Sequence, residues 1–169
     1  ACARREPCRR GSVIIHAPKH DYVNRPWPAT GIEGKFSMQF CTAASLVDGD
    51  VGLSTFSDTA VERPEVMKLL EKVRVEVDET RRNHLTDMEI NITVETNKAT
   101  YKSTNQTPLG HWDCTSSKME LTKAKAAKCF GHIGMPLDRA ARIQAAVANM
   151  EALSTQELRE FVAGLTVAS

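Results

Sequence analysis

The side chains best suited to chemistry lie close together in His20-Asp-Tyr-Val-Asn-Arg-Pro-Trp-Pro28 and the following Gly31-Ile-Glu-Gly-Lys-Phe-Ser37. Between them they bring a phenol, an amide, a guanidinium, an ammonium and a hydroxyl onto one proline-stiffened loop. Such a loop loses little entropy on binding, and it runs into a helix N-terminus, which favours an anion beside it. A plainer reading takes precedence on composition alone: Tyr22 and Trp27 plug a sheet edge and Lys35 is solvated.

Other chemistry lacks its signature. His16 and His20 are four residues apart, a spacing that joins two metal ligands on a helix. Pro18 lies between them and the preceding run is extended, which separates them by roughly 13 Å. His84, His111 and His132 have no carboxylate or cysteine at ligand spacing, so no metal site is expected. The five cysteines, Cys2, Cys8, Cys41, Cys114 and Cys129, are odd in number, scattered and without a C-x-x-C pair. Neither a disulfide framework nor a zinc site follows from them. No G-x-S-x-G, G-x-G-x-x-G or P-loop is present, which removes serine hydrolases, dinucleotide enzymes and nucleotide triphosphatases. Lys118, Lys123, Lys125 and Lys128 read as the wet face of a helix, because no aromatics interleave with them.

The elements that would position the loop can be read from periodicity. Ser12–Ala17 is a short apolar run with the β-branched residues Val13, Ile14 and Ile15, bounded by Gly11 and Pro18, and reads as a strand whose expected sheet portion is Val13–His16. The prolines and glycines from His20 to Lys35 exclude regular structure there. Over Phe36–Val47, Phe36, Phe40, Ala43, Ala44 and Val47 recur at helical spacing while Met38, Cys41 and Leu46 occupy other faces. That predicts a largely buried helix stopped by Asp48-Gly49. Pro64 opens a further helix with the stripe Val66, Leu69, Leu70 and Val73. Val73–Val77 and Met88–Val94 then alternate apolar with polar residues, and Asn97-Lys98 turns into Ala99–Ser103. Lys98 would be a poor choice if that turn needed positive φ. In the last third, Ser117 with Glu120 caps a helix ended by Gly131, Pro136 opens a second through about Met150, and Ser154 with Glu157 caps a third.

The fold class expected is α+β: a small, mainly antiparallel sheet of these four strands, covered by the Phe36–Val47 helix, then a helical tail. The expected division is an α+β domain over 1–115 and the tail over 116–169. The tail presents Leu137, Ala141 and Val147, and Leu158, Phe161 and Leu165, as stripes that need covering.

With 169 residues, 41% hydrophobic and 25% charged, the composition is that of a globular domain. It excludes long disorder and fibrous classes. A net charge of +1 offers no general attraction to nucleic acid or to an anionic membrane. Residues 1–25 are locally basic, with six Arg and Lys against Glu6 and Asp21. No run approaches the roughly 18 apolar residues of a membrane span, and the N-terminus lacks a signal-peptide core. A soluble chain in a reducing cytoplasm is the expectation.

Asp21-Tyr-Val-Asn-Arg-Pro26, Glu33-Gly-Lys-Phe-Ser-Met-Gln-Phe-Cys-Thr-Ala-Ala-Ser-Leu-Val-Asp-Gly49, Arg63-Pro-Glu-Val66 and the Val73-Arg-Val-Glu-Val77 strand resemble the C-terminal part of the MmgE/PrpD family. That family includes 2-methylcitrate dehydratase, cis-aconitate decarboxylase and iminodisuccinate epimerase. The resemblance is strong over 12–78, weaker to Gly110 and general over the tail.

It implies a cofactor-free lyase or isomerase acting on a small di- or tricarboxylic acid. The family enzyme has a large helical domain and a smaller lid, an active site between them, and a homodimeric assembly. This chain resembles the lid and final helices, so its implied partners are the carboxylic acid, the N-terminal helical domain and a second copy, with no nucleic acid or membrane. The family's tyrosine in the Y-V-N-R-P segment matches Tyr22, a candidate catalytic donor; Arg25 and Lys35 are candidate substrate-carboxylate anchors. Gly110-His-Trp-Asp-Cys114 departs from the turn usual in relatives. A catalytically silent fragment or subunit, paired with a chain that carries the helical domain, is the alternative, and a plain binding module is a third.

Overall fold

The computed structural model describes residues 11–81, 89–105 and 118–165. Its chain divides into two units, Ala1–Ser116 and Ser117–Ser169.

In the first unit, β1 (Ser12–Pro18) is central, with Val13, Ile15 and Ala17 buried at alternate positions as a strand demands. It is followed by α1 (Gly31–Lys35), α2 (Met38–Asp48), a 3-10 turn (Leu53–Phe56), α3 (Asp58–Val61) and α4 (Pro64–Leu70). The chain then returns through β2 (Val73–Asp78), β3 (Ile90–Glu95) and β4 (Thr100–Asn105). The sheet order is β2-β1-β3-β4. β3 pairs antiparallel with both β1 and β4, whereas β2 lies parallel to β1.

The sheet is therefore mixed and mainly antiparallel, as expected, with β1 and β2 its parallel pair. A parallel neighbour requires a long crossover, and the helices between β1 and β2 provide it. The register aligns Val73, Val13 and Val94 in one row and Val75, Ile15 and Ile92 in the next. Onto this surface pack Phe40, Ala43 and Ala44 of α2, with Val61, Val66 and Leu70 completing the core. The expected cover of the sheet is thus observed. Met88 of the expected third strand lies outside the described residues.

Two expectations for the helices need correction. The Phe36–Val47 helix begins at Met38, because Ser37 is its N-cap and accepts from Phe40 N at 3.0 Å. It buries the face that carries Phe40, Ala43 and Ala44 against the sheet, whereas Phe36, Leu46 and Val47 on its other faces are exposed. Gly49 ends it with φ 73°, the left-handed cap that glycine supplies without a Cβ clash.

The stretch from His20 to Lys35 is not wholly irregular either, as it contains α1. Thr30 caps that helix by accepting from Glu33 N, and Glu33 reaches back to Ala29 N at 2.6 Å. The glycines are there for contact. A Cβ on Gly31 would lie 1.9 Å from the Phe56 carbonyl oxygen, and one on Gly34 would lie 3.1 Å from the Phe40 ring. The Asn97-Lys98 turn is held by the Thr96 hydroxyl, which accepts from Lys98 N and Ala99 N, and no non-glycine among the described residues has positive φ.

The second unit consists of α5 (Lys118–His132), α6 (Leu137–Ala148), a 3-10 turn (Met150–Ala152) and α7 (Thr155–Gly164). Gly131 does not end α5. The left-handed residue is Gly134, at φ 67°, beyond His132. Ser154 and Glu157 form the expected capping box of α7. Gln144 Nε2 donates to Lys123 O across α5 and α6, and Arg139 Nη2 donates to Gly164 O across α6 and α7. Leu137, Ala141, Val147 and Leu165 are exposed, and Leu158 and Phe161 half-buried. Ser117, the expected cap of α5, lies outside the described residues, as does Gly110–Cys114.

Candidate functional site

β1 ends at Pro18, and His20 opens a tight turn in which its carbonyl accepts from Val23 N at 3.2 Å and Asn24 N at 3.1 Å. Tyr22 stands at the crest of that turn with 58% of its surface exposed. Neither Tyr22 nor Trp27, 57% exposed, plugs the sheet edge. Arg25 folds back so that Nε donates to the Tyr22 carbonyl at 3.0 Å, which closes the turn from its far side.

The start of α2 clasps the turn with three consecutive residues. Ser37 Oγ donates to the Arg25 carbonyl at 2.5 Å, Met38 N to the Val23 carbonyl at 2.9 Å, and Gln39 Nε2 to Asn24 Oδ1 at 2.6 Å. Ser37 and Gln39 are buried, so these bonds are protected from competing water. The backbone beneath Tyr22 is thereby fixed to a helix that is itself seated in the core through Phe40. Ser37 has two roles, capping α2 and holding Arg25. A hydroxyl residue immediately before an apolar helical stripe is a readable cap signal. The Asn24–Gln39 bond has no such local signature, because it joins residues on two separate elements.

Of the three expected site residues, Tyr22 and Arg25 share one turn, where the Arg25 side chain meets the Tyr22 backbone carbonyl. Lys35 ends α1, where its Nζ lies 5.8 Å from the centre of the Phe56 ring, a cation–π distance. Beside the same segment, the Cys41 thiol donates to the Gly34 carbonyl at 3.5 Å. Burial pushes its pKa up, against a smaller opposing effect of that backbone bond, so Cys41 is a protonated thiol at neutral pH rather than a nucleophile.

At the other end of α2 an open cleft of about 610 Å³ is lined by Asp48, Asp50, Ser54, Thr55, Thr59 and Arg63 among others, and by none of Tyr22, Arg25 and Lys35. Its strongest charges are spent on each other. Arg63 donates to Asp48 through both terminal nitrogens, at 3.0 and 2.7 Å. That hydrogen bonding lowers the Asp48 pKa, against a smaller desolvation effect. His16 faces Glu76 across the parallel strands at 3.3 Å, whereas the His20 ring packs on Tyr22. Among the described residues no three His, Cys, Asp or Glu side chains gather as a metal site, and no helix is long and apolar enough to cross a membrane.

Comparison with known proteins matches residues 11–152 to the family described as MmgE/PrpD C-terminal domain. Two curated relatives are cis-aconitate decarboxylases. The one from Homo sapiens is 31% identical over 121 residues, covering 69% of this chain and 25% of its own. The one from Mus musculus is 33% identical over 121 residues with the same coverage, 69% and 25%. The chain thus spans about a quarter of the length of these curated relatives.

Proposed function

The chain belongs to the MmgE/PrpD family as its C-terminal domain, and from that membership we propose that it is the lid of a cofactor-independent lyase acting on a small di- or tricarboxylic acid. The observation that carries this reading is the Tyr22 phenol, exposed on a turn whose backbone is clasped by Ser37, Met38 and Gln39.

Decarboxylation, dehydration and epimerisation of such acids all pass through an electron pair on carbon, stabilised by a neighbouring carboxylate. In decarboxylation the bond to the departing carboxylate breaks, carbon dioxide leaves, and the carbon takes up a proton. A phenol held in place can deliver that proton or donate a hydrogen bond to the charge as it builds. In this reading Tyr22 is that group. Arg25, held at Nε by the Tyr22 carbonyl, has its terminal nitrogens directed to a substrate carboxylate, and Lys35 adds a second positive charge on the same segment. The remaining catalytic groups, including the base, belong to a helical domain of the same family, and the working assembly is a homodimer. The identity of the relatives as cis-aconitate decarboxylases favours a carboxylic acid of that size.

The test is a turnover assay paired with light scattering. The 169-residue chain alone is expected to convert neither cis-aconitate nor 2-methylcitrate and to scatter as a dimer. Joined to the family's helical domain, it is expected to convert one of them. A monodisperse monomer with detectable conversion contradicts both halves of the claim. A completed assembly that converts neither acid favours the catalytically silent subunit instead.

A further inference from the structure

His20 lies beneath the exposed Tyr22 with only 6% of its surface accessible, and neither ring nitrogen has a hydrogen-bond partner among the described residues. Gln39 Oε1, on the helix that clasps the same turn, is likewise buried and unpartnered. Burying polar atoms in this way is destabilising, and an apolar side chain of similar size would avoid the cost. Among the described residues, what the His20 side chain supplies to the turn is therefore not a direct hydrogen bond. It is a ring contact: the imidazole and the Tyr22 phenol are T-shaped, with centroids 5.9 Å apart and planes at 84°.

We propose that His20 is a positioning residue for Tyr22, holding the phenol in one orientation through this ring contact. The backbone bonds of the turn fix where the Tyr22 Cα lies but leave its χ1 and χ2 undetermined. An exposed side chain without a neighbour exchanges rotamers on the picosecond-to-nanosecond scale, which spreads the phenol oxygen over several positions. A T-shaped aromatic neighbour selects one of them. The catalytic consequence rests on the reading of Tyr22 as proton donor in the proposed reaction; the ring contact does not.

The contact is tested on the whole chain by NMR of ring-labelled tyrosine. Tyr101, 60% exposed on β4, serves as the internal reference for a phenol in solvent. Tyr22 ring resonances are expected to be displaced from those of Tyr101. His20→Leu, which keeps apolar volume without a ring, should collapse that displacement, and His20→Phe should keep it. Both variants should melt at or above the wild-type temperature, because two unpaired buried nitrogens are gone. His20→Met replaces the leucine variant if that one fails to fold. A displacement that survives the leucine or methionine variant, or disappears in the phenylalanine variant, overturns the proposal.

In the enzyme completed with a helical domain, His20→Leu should lower kcat by about tenfold with KM unchanged, and His20→Phe should restore it. Unchanged kcat in the leucine variant overturns the positioning role. Absence of turnover in the wild-type assembly overturns the reading of the site, while the spectra still decide the ring contact.

Discussion

An alanine methyl at residue 31 would sit 1.9 Å from the Phe56 carbonyl oxygen and 2.5 Å from its carbon, with backbone on both sides of the clash. Neither side can yield cheaply, because Gly31 N also donates to Asp58 Oδ1 at 2.8 Å. Gly31→Ala is expected to cost about 1–3 kcal/mol, read as a lower urea midpoint at unchanged slope. The Asp48–Arg63 pair gives a prediction in acid. Hydrogen bonds from Arg63 hold the Asp48 carboxyl below its ordinary value in the folded chain. A folded pKa below the unfolded one gives stability that is complete above the unfolded carboxylate range, about pH 4, and lost as pH falls through the folded value. Both partners meet solvent, so the contribution is small. Arg63→Gln should therefore lower the melting temperature slightly at pH 7 and reduce how much of it is lost between about pH 5 and pH 3. An acid limb identical to wild type contradicts the assignment.

At the scale of elements, Ser37 joins the fold to the site. Ser37→Ala removes the cap of α2 and leaves the Arg25 carbonyl without its donor. The expected loss is about 2 kcal/mol in chemical denaturation, and turnover of a completed enzyme should fall with it. Denaturation indistinguishable from wild type would mean that the clasp contributes nothing. β1, β2, α2, α4 and the hairpin of β3 and β4 were legible because their periods, Pro64 and Gly49 speak locally. The parallel pairing of β1 with β2 was not, since the partner of a strand across a long crossover leaves no mark in either segment. α1 was hidden for a different reason. Gly31 and Gly34 look like breakers, yet they are small because Phe56 and Phe40 come so close, and that proximity exists only in the folded chain. The candidate site divides the same way. Tyr22, Arg25 and Lys35 stood out by type and by family resemblance, whereas Asn24 and Gln39 gain their roles from a contact between separate elements and His20 from burial and ring geometry that exist only in the folded chain.

For the whole molecule, the first unit is complete in the sense that its core is closed: the sheet, α2 and α4 bury Val13, Ile15, Phe40, Val66 and Leu70 against one another. The second unit is built differently: among its described residues Ala140 is the buried hydrophobic one, and Leu137 is 88% exposed. A chain that spans about a quarter of its relatives' length and carries one exposed phenol on a clasped turn is, in the reading proposed above, one wall of an active site. The central claim is that Tyr22 is the donor on that wall. Tyr22→Phe tests it most directly, because the change removes one hydroxyl and keeps the ring, and so leaves the packing on His20 in place. In the enzyme completed with a helical domain, turnover of its carboxylic acid substrate is predicted to fall by about two to three orders of magnitude, with the melting temperature unchanged. Turnover within about twofold of wild type would contradict the account.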